Sequence, residues 1–244
     1  MDKKTRFPNL KTIAALDIVL LGGTFGVLHA LALPAERCWL AISAAGAGYT
    51  LFYARRHRHL SHLPYLGWAN GLSLLRGTLI AMTLGFVCPD VPRPFLWFPA
   101  IFYTVAAIAD FFDGYIARAT GEVSQLGAAL DLHFDGLGVL AAAIVAVSSG
   151  QLPWWYLSVG LARYLFLLGI WFIEHSGGKT HPLPPSRLRR ILSGVQMGFL
   201  AGALYPLFAP PLTTVLGMLI FVPFMAGFLR DFLAVAGWLP DKKP

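Results

Sequence analysis

Apolar residues come in long runs broken by short polar or proline-containing stretches, at residues 12–32, 39–54, 71–88, 96–118, 127–149, 154–174, 190–208 and 212–232. Most are close to the roughly 20 residues a helix needs to cross the hydrocarbon core of a bilayer. The alternating pattern of a membrane barrel is absent, and helices then remain the way to satisfy backbone polar groups in lipid. The pattern predicts an all-α, polytopic membrane bundle of about eight helices. Several runs are rich in Gly and Ala, as closely packed membrane helices often are. The stretch 55–70 is basic, contains His and is interrupted by Pro. It reads as an interfacial linker, which divides the chain into a two-helix N-terminal extension (1–67) and a six-helix core (68–244). Ala30-Leu31-Ala32 resembles a signal-cleavage site. The first run exceeds the usual signal core, however, and another apolar run follows at once, so the helix is expected to be retained.

Composition sharpens this picture. Of 244 residues, 57% are hydrophobic and only 13% charged, against about 45–50% and 25% in soluble domains. That excludes a disordered chain and leaves no room for a separate soluble domain. The net charge of +7 would suggest nucleic acid in a soluble protein. In a membrane chain it reads as the positive-inside bias, and no nucleic-acid partner is expected. Lys3, Lys4, Arg6, Lys11, Arg55, Arg56, Arg58, Lys179, Arg187, Arg189, Arg190, Lys242 and Lys243 all fall on one face if the chain crosses eight times. Arg37 and Arg93 fall on the other. Both termini are thus expected in the cytoplasm, with the protein in the inner (plasma) membrane of a bacterium. The two cysteines, Cys38 and Cys88, form no metal or redox spacing, and no disulfide framework can be read from them.

Acidic residues are rare, yet Asp110, Asp113, Asp131 and Asp135 fall within 26 residues. Asp110 and Asp113 are i,i+3 near the end of the fourth run. Asp131 and Asp135 are i,i+4 near the start of the fifth. Each pair lies on one face of its helix. A short connection makes the helices antiparallel neighbours, so the carboxylates can converge at the cytoplasmic edge. Such a group repels itself and needs cations. Oxygen-only ligands favour hard ions such as Mg²⁺ or Mn²⁺, and two such ions suit phosphoryl transfer. Gly114 and Gly127 leave room beside the carboxylates, and Arg118 can neutralise a ligand phosphate. His133 lies about 200° round the helix from the neighbouring Asp residues and is not counted as a ligand.

Asp110, Asp113, Gly114, Ala117, Arg118, Gly127, Asp131 and Asp135 fill the pattern D-x-x-D-G-x-x-A-R-x8-G-x-x-x-D-x-x-x-D without a departure. Eight fixed positions match by chance on the order of 10⁻¹⁰ per starting point. In this pattern the chain resembles the CDP-alcohol phosphotransferases, over about residues 68–236. The resemblance implies that a CDP-linked alcohol, often CDP-diacylglycerol, is attacked at its β-phosphorus by an acceptor hydroxyl, releasing CMP. It implies that Asp110, Asp113 and Asp131 hold the metals, two Mg²⁺ or Mn²⁺ ions. Asp135 would be the general base and also touch a metal. Gly114, Ala117, Arg118 and Gly127 would line the CDP site. Homodimers are common in the resembled family, so a second copy is a candidate partner besides the CDP-lipid, the small alcohol and membrane lipids.

Asn70, Ser73 and Arg76 resemble the family's N-x-x-[ST]-x-x-R and form a polar stripe expected to reach the nucleotide. Their other reading is a helix cap with a snorkelling Arg. Arg163 sits near the middle of an apolar run, where a charge is expensive and by default functional. It is expected to face a lipid phosphate or a core carboxylate, or to pair with Asp17. Arg190, Ser193 and Gln196 match the basic-x-x-[ST]-x-x-Q segment of family members with a phosphorylated acceptor, and Arg187 and Arg189 add charge. The alternative is a positive-inside cluster. Glycerol 3-phosphate is the acceptor that fits this cluster. Inositol phosphate, serine, or a CDP-amino-alcohol with diacylglycerol stay open. A Mg²⁺-dependent membrane prenyltransferase is a rival reading, but its Asp motifs should lie on well-separated helix pairs. A carboxylate-based ion transporter is another, and it would show inverted repeats and broken helices.

Overall fold

The computed structural model describes residues 8–61, 65–183 and 186–238, so Lys3, Lys4, Arg6, Lys242 and Lys243 lie outside the described residues. Among the described residues the chain forms α-helices with short 3-10 turns and no strand. The helices are α1 (Leu10–Ala30), α2 (Glu36–Arg56), α3 (Trp68–Leu84), α4 (Trp97–Thr120), α5 (Gln125–Ser148), α6 (Leu157–His175), α7 (Arg187–Ala203) and α8 (Leu212–Val235). The apolar runs place their ends to within four residues, with one exception. The run predicts α7 to 208, but it stops at Ala203. Pro206 has no N–H and pushes the residue before it out of the helical region, so the apolar stretch after Ala203 cannot continue the helix.

Among the described residues six helices are long and apolar enough to cross a membrane: α1, α3, α4, α5, α6 and α8. α2 and α7 are not among these six. α2 carries Glu36, Arg37, Arg55 and Arg56 at its ends, and α7 has 17 residues and opens on Arg187, Arg189 and Arg190. The chain is an all-α, membrane-spanning protein.

α3 sits at the centre, packed by α2, α4 and α5. Of its apolar window 72% is buried, against 17% for α8, which leaves most of α8 for lipid. Small residues allow this packing. A side chain at Gly77 would meet Thr50 of α2 and Phe134 of α5 within 3.0 Å. α1 and α2 lean on α3 rather than standing apart. Trp39 Nε1 donates to the Met82 carbonyl at 3.1 Å, and Cys38 and Cys88 form a disulfide with Cα atoms 6.1 Å apart. This bond joins the first turns of α2 to the segment after α3, at the end of the bundle opposite the acidic motif.

Candidate active site

The connection between α4 and α5 sets the register of the acidic motif. α4 ends at Gly121, whose φ of +69° is the left-handed conformation that glycine adopts without penalty. The Glu122 N–H then returns to the Ala117 carbonyl at 2.9 Å. Ser124 caps α5, its Oγ accepting from the Gly127 N–H at 3.0 Å. With the reversal this tight, Asp110 and Asp113 face Asp131 and Asp135 across the two helices.

The three carboxylates of Asp110, Asp113 and Asp131 each present an oxygen within 4.8 Å of the others. Counted from the helix ends at 1.5 Å per residue, the four Asp lie about 9–15 Å inside. They are deeper than the edge position the sequence suggested, because both helices extend past the apolar runs. Exposure is graded: Asp113 is 8% exposed, Asp110 27%, Asp135 38% and Asp131 52%. The group therefore opens on one side and closes on the other.

Arg76 fills the middle. Its guanidinium, 2% exposed, contacts Asp110, reaches Asp131 Oδ1 at 3.2 Å and lies 3.6 Å from Asp113 Oδ2 through Nη1. Nη2 donates to Asp135 Oδ1 at 3.0 Å and to the Asp131 carbonyl at 3.2 Å. The sequence reading aimed Arg76 at the nucleotide. Here its contacts are to the carboxylates, for which it is an internal counter-ion that lowers the cost of their charge at this depth. Ser73, one turn earlier, donates to Asp113 Oδ2 at 2.8 Å. Asn70 donates to the Leu66 carbonyl at 2.6 Å, and its Oδ1 lies 2.9 Å from where a Cβ on Gly127 would stand. Gly127 is thus the space that admits Asn70. Likewise, a Cβ on Gly114 would stand 3.3 Å from Nη1 of the Arg118 guanidinium. Arg118 itself and Ala117 sit on the last turns of α4, exposed and half-buried.

Glu122 is a site residue that the sequence reading missed. It looks like a solvated loop acid, yet it is 3% exposed. Its Oε2 accepts from the Ala69 N–H at 3.1 Å, so it caps the N-terminus of α3, the helix carrying Asn70, Ser73 and Arg76. Gly67 makes room: its φ is +86°, and a Cβ there would lie 2.8 Å from Glu122 Oε2. The signal available in sequence was the acid directly after the helix-ending glycine. Glu122→Ala should lower stability by about 1–2 kcal/mol, as loss of a helix cap does, and Glu122→Gln by less. Thermal melts of the detergent-solubilised protein check this.

Asp135 also lines a cavity of about 120 Å³ with Gly136, Arg163, Ser193, Gln196 and Phe224. Arg163 crosses directly over Gly136, where an added Cβ would fall 2.6 Å from its Cδ. Its pairing with Asp17 is not formed. Asp17 instead accepts from Thr78 Oγ1 at 2.9 Å, inside the α1–α3 contact. Gln196 is fully buried and donates to Tyr156 Oη at 2.7 Å. Arg190 is exposed on the first turn of α7 and does not line the cavity. Arg189 pairs with Asp231 at 3.2 Å. The predicted segment is therefore split, with Ser193 and Gln196 at the cavity, beside Arg163 of α6, and Arg187, Arg189 and Arg190 outside it.

The donor set suits a hard divalent cation: clustered carboxylate oxygens, no sulfur or imidazole, and a guanidinium already lodged where positive charge is wanted. Asp135 and Arg163 line the same cavity, and Arg76 bridges Asp135 to the group of Asp110, Asp113 and Asp131.

A family model described as CDP-alcohol phosphatidyltransferase matches residues 66–238. Among curated proteins the chain is 36% identical over 104 residues to a CDP-diacylglycerol–glycerol-3-phosphate 3-phosphatidyltransferase of Cereibacter sphaeroides, covering 41% of this chain and 46% of the relative. It is 32% identical over 120 residues to a protein of the same description from Yersinia enterocolitica, covering 46% and 64%. The chain thus spans about half to just under two thirds of these relatives. No solved structure matches the chain.

Proposed function

This chain belongs to the CDP-alcohol phosphatidyltransferase family, and on that premise we propose that it transfers a phosphatidyl group from CDP-diacylglycerol to glycerol 3-phosphate, releasing CMP. The observation that carries the reading is the meeting of Asp110, Asp113 and Asp131 with Asp135 at the mouth of a cavity that also holds Arg163. The acceptor oxygen bonds to the β-phosphorus, the bond from that phosphorus to the CMP oxygen breaks, and the acceptor proton passes to Asp135. A base must lie within hydrogen-bond reach of that hydroxyl, and Asp135 is the member of the group that faces the cavity. Asp110, Asp113 and Asp131, with Asp135 at the edge, would hold two Mg²⁺ or Mn²⁺ ions. These supply charge neutralisation for the pyrophosphate. Gly114, Ala117, Arg118 and Gly127 border the CDP side. Asn70 and Ser73 hold the wall behind it, and Arg76 balances the carboxylates.

The acceptor phosphate fits Arg163 and Ser193, with Arg190 near the approach. Arg163→Ala is expected to raise the KM for glycerol 3-phosphate, with a loss of up to about 2–3 kcal/mol in kcat/KM. The KM for the CDP-lipid should stay nearly unchanged. Arg190→Ala should change either constant by no more than a few-fold. Steady-state kinetics with each substrate varied separate these outcomes.

The same reading gives the membrane arrangement. Eight crossings put the basic residues, both termini and the carboxylates in the cytoplasm and the Cys38–Cys88 bond outside, where disulfides persist. Residues 1–67 form an extension to the core of 68–244, in keeping with a family match that begins at residue 66. The deciding experiment measures CMP release by purified protein. CDP-diacylglycerol is supplied with glycerol 3-phosphate, inositol phosphate or serine in turn, and a CDP-amino-alcohol with diacylglycerol. Release with glycerol 3-phosphate alone is expected. Release with a different acceptor would reassign the substrate, and release with none would sink the transferase reading.

A further inference from the structure

His133 lies between Asp131 and Asp135 in sequence but on the other side of α5, turned toward α2. Its Nε2 is 2.8 Å from Tyr49 Oη. Its ring stacks on Tyr53 with centroids 4.0 Å apart and planes within 4°. On the far side of Tyr53 the ring of His57 follows at 4.1 Å. Tyr49 and Tyr53 are one turn apart on α2 and His57 caps its end at the same spacing, so one face of α2 meets His133 of α5. α2 lies outside the residues that match the family, so these contacts are a feature of this chain's extension.

We propose that Tyr49 and Tyr53 are positioning residues for the reaction, acting through His133 to fix the rotation of α5 and with it the carboxylates of Asp131 and Asp135. The proposal rests on the function argued above. Carboxylate oxygens stand about 6 Å from a helix axis, so a 10° rotation of α5 displaces them by about 1 Å. A misplacement of that size can cost on the order of 10²-fold in rate. On the front of α5 the holding group is Arg76, and a cation entering the site competes with it for the same oxygens. The hold from behind involves none of those oxygens. A hydrogen bond to a stacked ring also fixes rotation in a way that an apolar contact at the same place would not. α2 can serve as a strut because its opposite end is anchored by the Cys38–Cys88 bond and the Trp39–Met82 hydrogen bond.

The test uses full-length protein in detergent and two readouts, Mn²⁺ affinity from the free-ion electron paramagnetic resonance signal and steady-state kinetics. Tyr49→Phe removes only the hydroxyl, and His133→Phe keeps a ring against Tyr53. Each should weaken Mn²⁺ binding by about threefold to tenfold and lower kcat by about tenfold, with the KM for the CDP-lipid within about twofold. The double variant should be no worse than the poorer single one, since both remove the same bond. Phe52→Leu, on the exposed face of α2, serves as the control and should match the unaltered protein. A lowered Tm with unchanged Mn²⁺ affinity and kcat would overturn the proposal and leave the stack as packing. So would additive losses in the double variant. If the unaltered protein binds Mn²⁺ but releases no CMP, the transferase reading fails, while the Mn²⁺ shifts of the variants still decide the positioning role. Absence of Mn²⁺ binding in the unaltered protein would overturn both.

Discussion

Asp135→Asn is expected to lower kcat by about 10²–10⁴-fold, the usual consequence of losing a general base. The amide keeps the shape of the side chain but cannot take the acceptor proton at neutral pH. Asp110, Asp113 and Asp131 form their own group without Asp135, so Mn²⁺ and CDP-lipid should bind the variant with nearly unaltered affinity. Arg76 loses one charged partner, at Nη2, but retains those at Nη1, so the variant should fold. Rapid-mixing measurement of CMP release beside equilibrium binding of the CDP-lipid tests both halves. A loss of Mn²⁺ affinity as large as that of Asp113→Asn would make Asp135 chiefly a ligand, and the proton would have to go elsewhere.

Removing divalent ions should abolish CMP release altogether, and adding Mg²⁺ or Mn²⁺ should restore it. The reason lies in the charge balance of the site. The four carboxyl groups of Asp110, Asp113, Asp131 and Asp135 face two cationic side chains, Arg76 among them and Arg163 at the cavity beside Asp135, so acidic groups outnumber basic ones. A CDP-lipid brings a further anionic pyrophosphate to the same opening. Binding without added cations would bring like charges together at low dielectric, where repulsion is strong. Asp113→Asn should have the next largest effect, because Asp113 is the least exposed of the group and Ser73 fixes its orientation. It should raise the Mn²⁺ concentration for half-maximal activity by at least about tenfold, since a neutral amide is a poorer ligand for a hard ion. Full activity in excess chelator would defeat the cation-dependent reading.

The helices were legible because burial in a bilayer imposes long apolar runs, while the side-chain caps at Asn9, Ser124 and Ser186 emerge from the structure. The i,i+3 and i,i+4 spacing also made the convergence of the four Asp legible, since a short reversal leaves two helices little choice of facing. What lay hidden was pairing at long sequence distance. The stripe of Asn70, Ser73 and Arg76 could be read from spacing, but its target could not, because Arg76 meets residues 34 to 59 positions further along. Arg163 had two acids within reach of any plausible packing, and only the placement of α1 against α3 decides that Asp17 is taken by Thr78. Glu122 escaped notice because a loop position says nothing about burial. Its role appears only once the start of α3 is brought beside it.

The disulfide between Cys38 and Cys88 has a consequence for how the protein is made. In the proposed orientation, with the carboxylates on the cytoplasmic side, α3 would connect a reducing compartment at its Asn70 end to an oxidising one at its Cys88 end. The extension and the core are then linked covalently only after both cysteines have been exported and have met an oxidant there. On that proposed orientation, maturation of the fold would be coupled to the thiol chemistry of the compartment across the membrane from the carboxylates. A cell with impaired disulfide formation would accumulate inserted chains in which α2 is held to the core without a covalent link, by packing and hydrogen bonds such as Trp39–Met82 and Tyr49–His133.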